Sequence, residues 1–262
     1  MDTGTVDAYL RRIGCERPPR LDVDALPTLQ ERHLDAVPFE NLSIHLGEPI
    51  VLEVDALVDK IVRRRRGGFC YELNGAFGAL LEALGFPVTL MAARVYGEGD
   101  TLGPPFDHLV LRVDLAEAHL VDVGFGAFSR RPLRLAERER QSDPAGWFRL
   151  VDADHGDIDV VMNGNRVYQV DLRPRALGDF EATCWWQQTS PASHFAQTLT
   201  CSLPTPSGRV TLSGDRLIRT EDGQRTERRL ESDAEILAAY EDCFGIHLDR
   251  LPTNPAPAPR DG

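Results

Sequence analysis

Three residues of this chain have the types and surroundings for nucleophilic acyl chemistry. Cys70 stands in RGGFCYELN (66–74), where two glycines give way to an apolar helical pattern. A cysteine at a helix start faces free backbone N–H groups and the positive end of the helix dipole, and both favour the reactive thiolate. The two glycines are read as giving a sharp turn and room for a substrate. A nucleophilic cysteine also needs a base, and the base needs an orienting partner. His108 opens HLVLRVDL and Asp122 ends HLVD (119–122). These stretches read as consecutive antiparallel strands joined by a tight turn near Leu115–Ala118. His108 and Asp122 share a face only if the register sums to an even number, because side chains alternate along a strand. With that register, Asp122 can accept from one imidazole nitrogen while the other faces Cys70. Each residue also has a plainer reading: a small buried thiol, a satisfied core or surface histidine, and an aspartate serving a turn before glycine. The residues alone leave both readings open.

Bulk properties narrow the alternatives. The chain has 262 residues, a net charge of −12 and a pI near 5.0. Acidic balance speaks against a nucleic-acid partner, since phosphate contacts need clustered Lys and Arg. No apolar run approaches the ~18 residues of a membrane span, so no membrane partner is expected. The N-terminus lacks the basic-then-apolar order of a signal peptide, which makes a cytoplasmic location the default expectation. The five cysteines (15, 70, 184, 201 and 243) are odd in number, widely spaced and without CxxC. The seven histidines include no HExxH. A disulfide framework and a zinc site are both disfavoured, and no metal is expected.

The elements that would position the three residues fall into three regions. Residues 1–85 read as helical: Thr5–Ile13, then Thr28–Val37 with Thr28 as N-cap and Pro38 as stop, then Val54–Arg65 and Cys70–Leu84. Residues 86–200 read mostly as strands: Val88–Tyr96, His108–Asp114, Leu120–Val123, Trp147–Val151, Asp157–Met162 and Arg166–Leu172, with a hairpin turn at Asn163-Gly164-Asn165. Gly178–Thr189 returns to helix. Trp185-Trp186, if extended, sends one ring to each side, one of them to the core. Residues 201–250 hold Arg209–Ser213, Arg216–Thr220 and Gln224–Leu230, then a helix from Asp233 to Cys243 with Ser232 as N-cap. Residues 251–262, rich in proline, form a disordered tail. Helices first, strands next and a mixed end make an α+β class rather than alternating βαβ. Three of the four arginines 63–66 sit at a helix end, where cations complement the dipole.

The sequence resembles the arylamine N-acetyltransferase family of bacterial type. RGGFCYELN is similar to that family's signature around its active cysteine. VPFENLSIHLG (37–47) is similar to its PFENL segment, HLVLRVDL and VDVGFG to the segments carrying its His and Asp, and WWQQTSPASHF (185–195) to its TSPxSxF segment. The matches fall in order across residues 37–195. The resemblance implies a helical bundle, a central β-barrel and a C-terminal α/β lid, the first two forming a papain-like cysteine protease core. It implies ping-pong transfer from acetyl-CoA to an arylamine, arylhydrazine or N-arylhydroxylamine through an acetyl-cysteine. Cys70 would be the nucleophile, His108 the base and Asp122 its orienter, resting as thiolate and imidazolium. Phe39, Val95, Gly124 and Phe125 would line the pocket for the acceptor and coenzyme A. Arg66 with Glu40 and Asn41 would form a buried polar cluster anchoring the active-site loop. A role in xenobiotic metabolism goes with the family, and a biosynthetic one stays open, as does a homodimer. Two places depart from the pattern: Asp107 stands where many relatives have a small hydroxyl residue, and CWWQQ precedes TSP where relatives often have Asn or Tyr. The rival readings are an amide synthase of the same family that closes a macrolactam, a cysteine peptidase or transglutaminase-like hydrolase, and a non-enzymatic binding protein.

Overall fold

The computed structural model describes residues 1–22 and 24–253. Apolar residues at helical spacing organise its first part. Helices α1 (Thr3–Arg12) and α2 (Ala25–Ala36) bury Val6, Tyr9, Leu10, Leu26 and Leu29. α2 begins three residues earlier than Thr28. Thr28 therefore lies inside the first turn, its hydroxyl donating to the Asp24 carbonyl at 3.0 Å. Pro27 is tolerated there because first-turn N–H groups have no intrahelical partner. Then come the two-residue strand β1 (Phe39–Glu40), the short helix α3 (Leu42–Leu46) and α4 (Val54–Val58). The predicted single helix Val54–Arg65 instead widens after α4 into a π-turn over Asp59–Arg63, with Arg64 N bonding Asp59 O at 3.0 Å. α5 (Cys70–Leu84) is apolar on nearly every side and is buried accordingly.

A second body is an eight-stranded antiparallel sheet. Its strands are β2 (Val88–Val95), β3 (His108–Asp114), β4 (Ala118–Val121), β5 (Leu133–Arg134), β6 (Gln141–Asp143), β7 (Gly146–Asp152), β8 (Ile158–Met162) and β9 (Asn165–Arg175), in the order β5-β4-β3-β2-β9-β8-β7-β6. The sheet curls into a nearly closed barrel. The Gln141 side-chain amide bridges its two end strands, accepting from Arg134 N at 2.8 Å and donating to Arg134 O at 3.0 Å. Alternation divides the strand residues between two cores. Ala92, Leu109, Leu111, Val113 and Val121 join the helical core around α5, whereas Met91, Ala93, Val110 and Leu120 fill the barrel with Phe148, Val160, Tyr168 and Val170. This α+β arrangement, helices packed on one face of an antiparallel barrel, forms the papain-like core.

After α6 (Glu181–Thr189) and α7 (His194–Gln197) comes a five-stranded sheet, ordered β1-β10-β11-β12-β13. Its later strands are β10 (Cys201–Thr205), β11 (Gly208–Ser213), β12 (Arg216–Glu221) and β13 (Gln224–Arg229). α8 (Asp233–Phe244) contributes Tyr240 and Phe244 to the core of this sheet, and Ser232 caps it by accepting from Glu235 N. The edge strand Phe39–Glu40 comes from the region read as helical. Phe39 is level with Ser202, and Leu42 and Leu46 enter the same core. Residues 251–253, placed in the disordered tail by the sequence reading, are tied down. Pro252 is buried and Thr253 N donates to the His45 carbonyl at 2.8 Å. The rest of that expected tail lies outside the described residues. Among the described residues, no helix is long and apolar enough to cross a membrane.

One core histidine makes stability depend on pH. His33 is fully buried between Tyr9 and Phe77, with Nε2 3.1 Å from the Tyr9 hydroxyl. Burial first, and Arg12 second, hold its imidazole down at about 3. Unfolded histidine titrates near 6.5, so below that pH the unfolded chain binds a proton that the native state refuses. Stability is therefore intact above pH ~6.5 and falls as the pH drops toward 3, by about 2 kcal/mol at pH ~5. Urea titrations of the native chain and His33→Gln at pH 7 and pH 5 check this. The difference between the two pH values shrinks in the variant if His33 is its source.

Candidate active site

The site is assembled where α5 meets the ends of β3 and β4. Cys70 is the first residue of α5 and is 3% exposed. One turn further along the same helix face is Asn74, the four-residue step that aligns side chains on a helix. Its amide group ties the helix to both strands. Nδ2 donates to Leu109 O at 2.7 Å and to Asp122 Oδ1 at 2.8 Å, and Oδ1 accepts from Val123 N at 2.9 Å. Sequence reasoning places Asn74 in the cysteine motif without a role; its spacing from Cys70 is the signal that could have found it.

The strand register brings His108 and Asp122 together. Leu111 is level with Val121 and Arg112 with Leu120. One step further puts Asp122 level with Val110, two residues from His108 on the same face. Asp122 lies just beyond the end of β4, not inside a strand Leu120–Val123. His108 Nε2 and Asp122 Oδ2 are 2.7 Å apart, both groups buried. Asp122 Oδ1 accepts from Gly124 N at 2.8 Å as well as from Asn74. The imidazole packs edge-on against Phe125, with ring centroids 5.2 Å apart, and lies against Tyr168. Since Asp122 takes Nε2, Nδ1 is the nitrogen left for another partner.

Cys70 and His108 line one cleft of about 1000 Å³. Phe39, Val95, Gly124 and Phe125 are on its wall, joined by Trp186 and by Thr211 and Ile218 from the last sheet. Trp186 is on α6, not on an extended segment, and neither Trp185, 66% exposed, nor Trp186 is a core residue. Burial pushes the Cys70 thiol well up, with Asp107 and Asp122 adding to it and the Leu109 backbone opposing. A thiolate standing alone is thus disfavoured here, so the helix start is not enough to ionise this cysteine. The charge needs a cation beside it.

The polar cluster behind the loop has other members than predicted. Arg66 grips Glu40 with Nε and Nη2 at 3.0 and 3.2 Å, and Glu40 also accepts from the Leu42 and Gly67 backbones. Lys60, turned inward by the π-turn, pairs with Glu72, which in turn accepts from Phe69 N at 3.2 Å at the start of α5. Burial pushes Glu40 up, but Arg66 and Lys60 outweigh it and hold the carboxyl below its ordinary range. Asn41 does not join this cluster. Its side chain donates to Phe195 O and Thr198 O at 2.9 and 2.6 Å and accepts from Thr200 N, tying down the segment before β10. The reading of Gly67 and Gly68 also changes. A Cβ on Gly67 would fall 1.9 Å from the Pro38 carbonyl oxygen, and one on Gly68 2.7 Å from Glu72. These glycines serve close protein packing rather than space for a substrate. At Gly124 a Cβ would fall 2.6 Å from Cys70 Cα, so only glycine allows the strand end this near the helix.

A cysteine at a helix start lines one cleft with the histidine of a barrel-borne His–Asp pair, on a papain-like core. A model of the N-acetyltransferase family matches residues 22–252. The chain is 37% identical to the arylamine N-acetyltransferase of Mycolicibacterium smegmatis over 96% of its own length and 94% of that protein's. It is 30% identical to human arylamine N-acetyltransferase 1 over 94% and 95%. The structure of the Salmonella typhimurium arylamine N-acetyltransferase superposes with a TM-score of 0.86 at 31% identity, covering 94% of this chain and 92% of that one. That of the Mycobacterium marinum enzyme in complex with CoA does so with 0.84 at 32%, covering 92% of each. The chain belongs to the arylamine N-acetyltransferase family.

Proposed function

We propose that this protein transfers the acetyl group of acetyl-CoA to the nitrogen of arylamines, arylhydrazines and N-arylhydroxylamines by a ping-pong mechanism. The observation that carries the reading is the 2.7 Å contact of buried Asp122 with His108, which lines one cleft with Cys70. With Nε2 held by Asp122, His108 Nδ1 takes the Cys70 proton as sulfur attacks the thioester carbonyl. The thiolate therefore exists as one half of a pair with imidazolium, which answers the cost of burying it alone. CoA leaves with that proton and Cys70 keeps the acetyl group. The acceptor nitrogen then attacks the acetyl-cysteine, His108 takes its proton, and the thiol is restored. Phe39, Val95, Gly124 and Phe125 offer a flat, mostly apolar wall for an aromatic acceptor and shield the thioester from water. The CoA complex of the M. marinum relative supports coenzyme A as the leaving product. Arg66 and Glu40 support the loop from behind, and Asn41 steadies Phe195, Thr198 and Thr200, which line the cleft.

Initial rates measured while both acetyl-CoA and an arylamine are varied test the order of events. Parallel double-reciprocal lines are expected, because the first product leaves before the acceptor binds. Converging lines would mean a ternary complex and would overturn the acetyl-cysteine route.

A further inference from the structure

Asp107 puts a negative charge in the cleft that the reaction outlined above does not use. Its side chain is half-buried and lines the same cavity as Cys70 and His108. Both carboxylate oxygens accept from N–H groups: Oδ1 from Gln187 Nε2 at 2.7 Å and Oδ2 from Val95 N at 3.4 Å. The Gln187 amide is oriented by the Ser193 hydroxyl, 2.6 Å from Oε1, so its NH₂ end faces Asp107. N–H bonds to both oxygens favour the ionised, acceptor-only form of a carboxyl. Among the described residues no Lys or Arg pairs with it. The neighbouring Arg94 donates to Gly103 O instead, at 2.7 Å. Burial pushes the Asp107 carboxyl up, partly offset by Val95 N–H and His108, so the ion is costly here and would gain from a cation. Asp107 and Gln187 also lie in the two places where the sequence departs from its family's pattern, and they touch each other.

We propose that Asp107 is a specificity-determining residue, favouring aromatic acceptors that carry a second, cationic nitrogen and disfavouring those that carry a carboxylate. The proposal rests on the acetyl-transfer reading. An ammonium substituent reaching this edge of the cleft finds an unpaired carboxylate, with Trp186 and Phe125 on the same walls to hold the ring. A carboxylate substituent meets like charge in a cavity that screens it poorly.

The test uses acetyl-enzyme prepared with acetyl-CoA and freed of CoA, so that only the second half-reaction is read. Single-turnover transfer is measured to aniline, 4-aminobenzoate and 4-aminobenzylamine, for the native chain, Asp107→Asn and Asp107→Ser. Relative to aniline in the same variant, transfer to 4-aminobenzoate should rise about tenfold and transfer to 4-aminobenzylamine fall about tenfold, the scale of one charge pair in a partly shielded site. Asp107→Ser keeps the test open should Asp107→Asn not fold. If both ratios stay within about twofold of native while all three rates move together, Asp107 is a structural residue and the proposal fails. If the native chain forms no acetyl-enzyme, the acetyl-transfer reading itself has failed, which is a separate outcome.

Discussion

Asp122→Asn is expected to slow acetylation of Cys70 by on the order of 10³–10⁴-fold with the fold retained, the scale seen when the orienting carboxylate of a triad becomes an amide. The hydrogen bonds dictate how the amide must sit. Oδ1 of residue 122 accepts from Asn74 Nδ2 and Gly124 N, both donors. The oxygen of an asparagine has to stay on that side, so its NH₂ group turns to His108 Nε2. That nitrogen must then accept, which moves the imidazole proton to Nδ1. Nδ1 can no longer take the thiol proton, and the Cys70 thiol, already pushed up by burial, stays neutral. Stopped-flow acetylation with acetyl-CoA, alongside a thermal melt, separates chemistry from folding. A loss below about tenfold in a folded variant would show that Asp122 does not set the tautomer.

Arg66→Met should destabilise the protein by about 3–5 kcal/mol, the usual cost of stranding one partner of a buried ion pair. Glu40 is fully buried and Arg66 is 3% exposed. Without the guanidinium, Glu40 keeps Lys60 at 3.9 Å and two backbone donors. The native contribution of Glu40 is present above the unfolded carboxylate's pKa of about 4.3 and is lost as pH falls through its lower folded value. Urea unfolding at pH 7 gives the magnitude. Glu40→Leu added to Arg66→Met should recover part of the loss, because the stranded charge is then gone. A cost under about 1 kcal/mol for Arg66→Met would mean that the pair is solvated rather than buried.

The sequence was most legible where local pattern and burial agree. α5 runs over the predicted Cys70–Leu84, and β3 begins and ends at the predicted His108 and Asp114, because unbroken apolar spacing is bounded there by clear stop signals. The even register between β3 and β4 follows from a short turn, with two cores demanding opposite faces. What stayed hidden depends on distant partners. β1 is two residues long and exists only because β10 arrives from far along the chain, so it carries no local signal. The π-turn after α4 answers to Lys60 reaching Glu72, a tertiary demand on an otherwise helical run. Asn41 sits beside Glu40 in sequence but points into the segment 195–200. Neighbours along a bent chain need not share a cluster. The reading of Gly67 and Gly68 as space for a substrate changed for a related reason. Whether a missing Cβ makes room for ligand or for protein is decided by what packs there, and at Gly67 and Gly68 it is Pro38 and Glu72.

The mechanism stands on Cys70 carrying the acetyl group between the two substrates. Mass spectrometry of the protein mixed with acetyl-CoA, with no acceptor present, tests it directly. The expected result is a gain of one acetyl group located by peptide mapping on Cys70, absent from Cys70→Ala and discharged on adding an arylamine. No adduct, or an adduct on Cys15, Cys184, Cys201, Cys243 or a lysine, would contradict it.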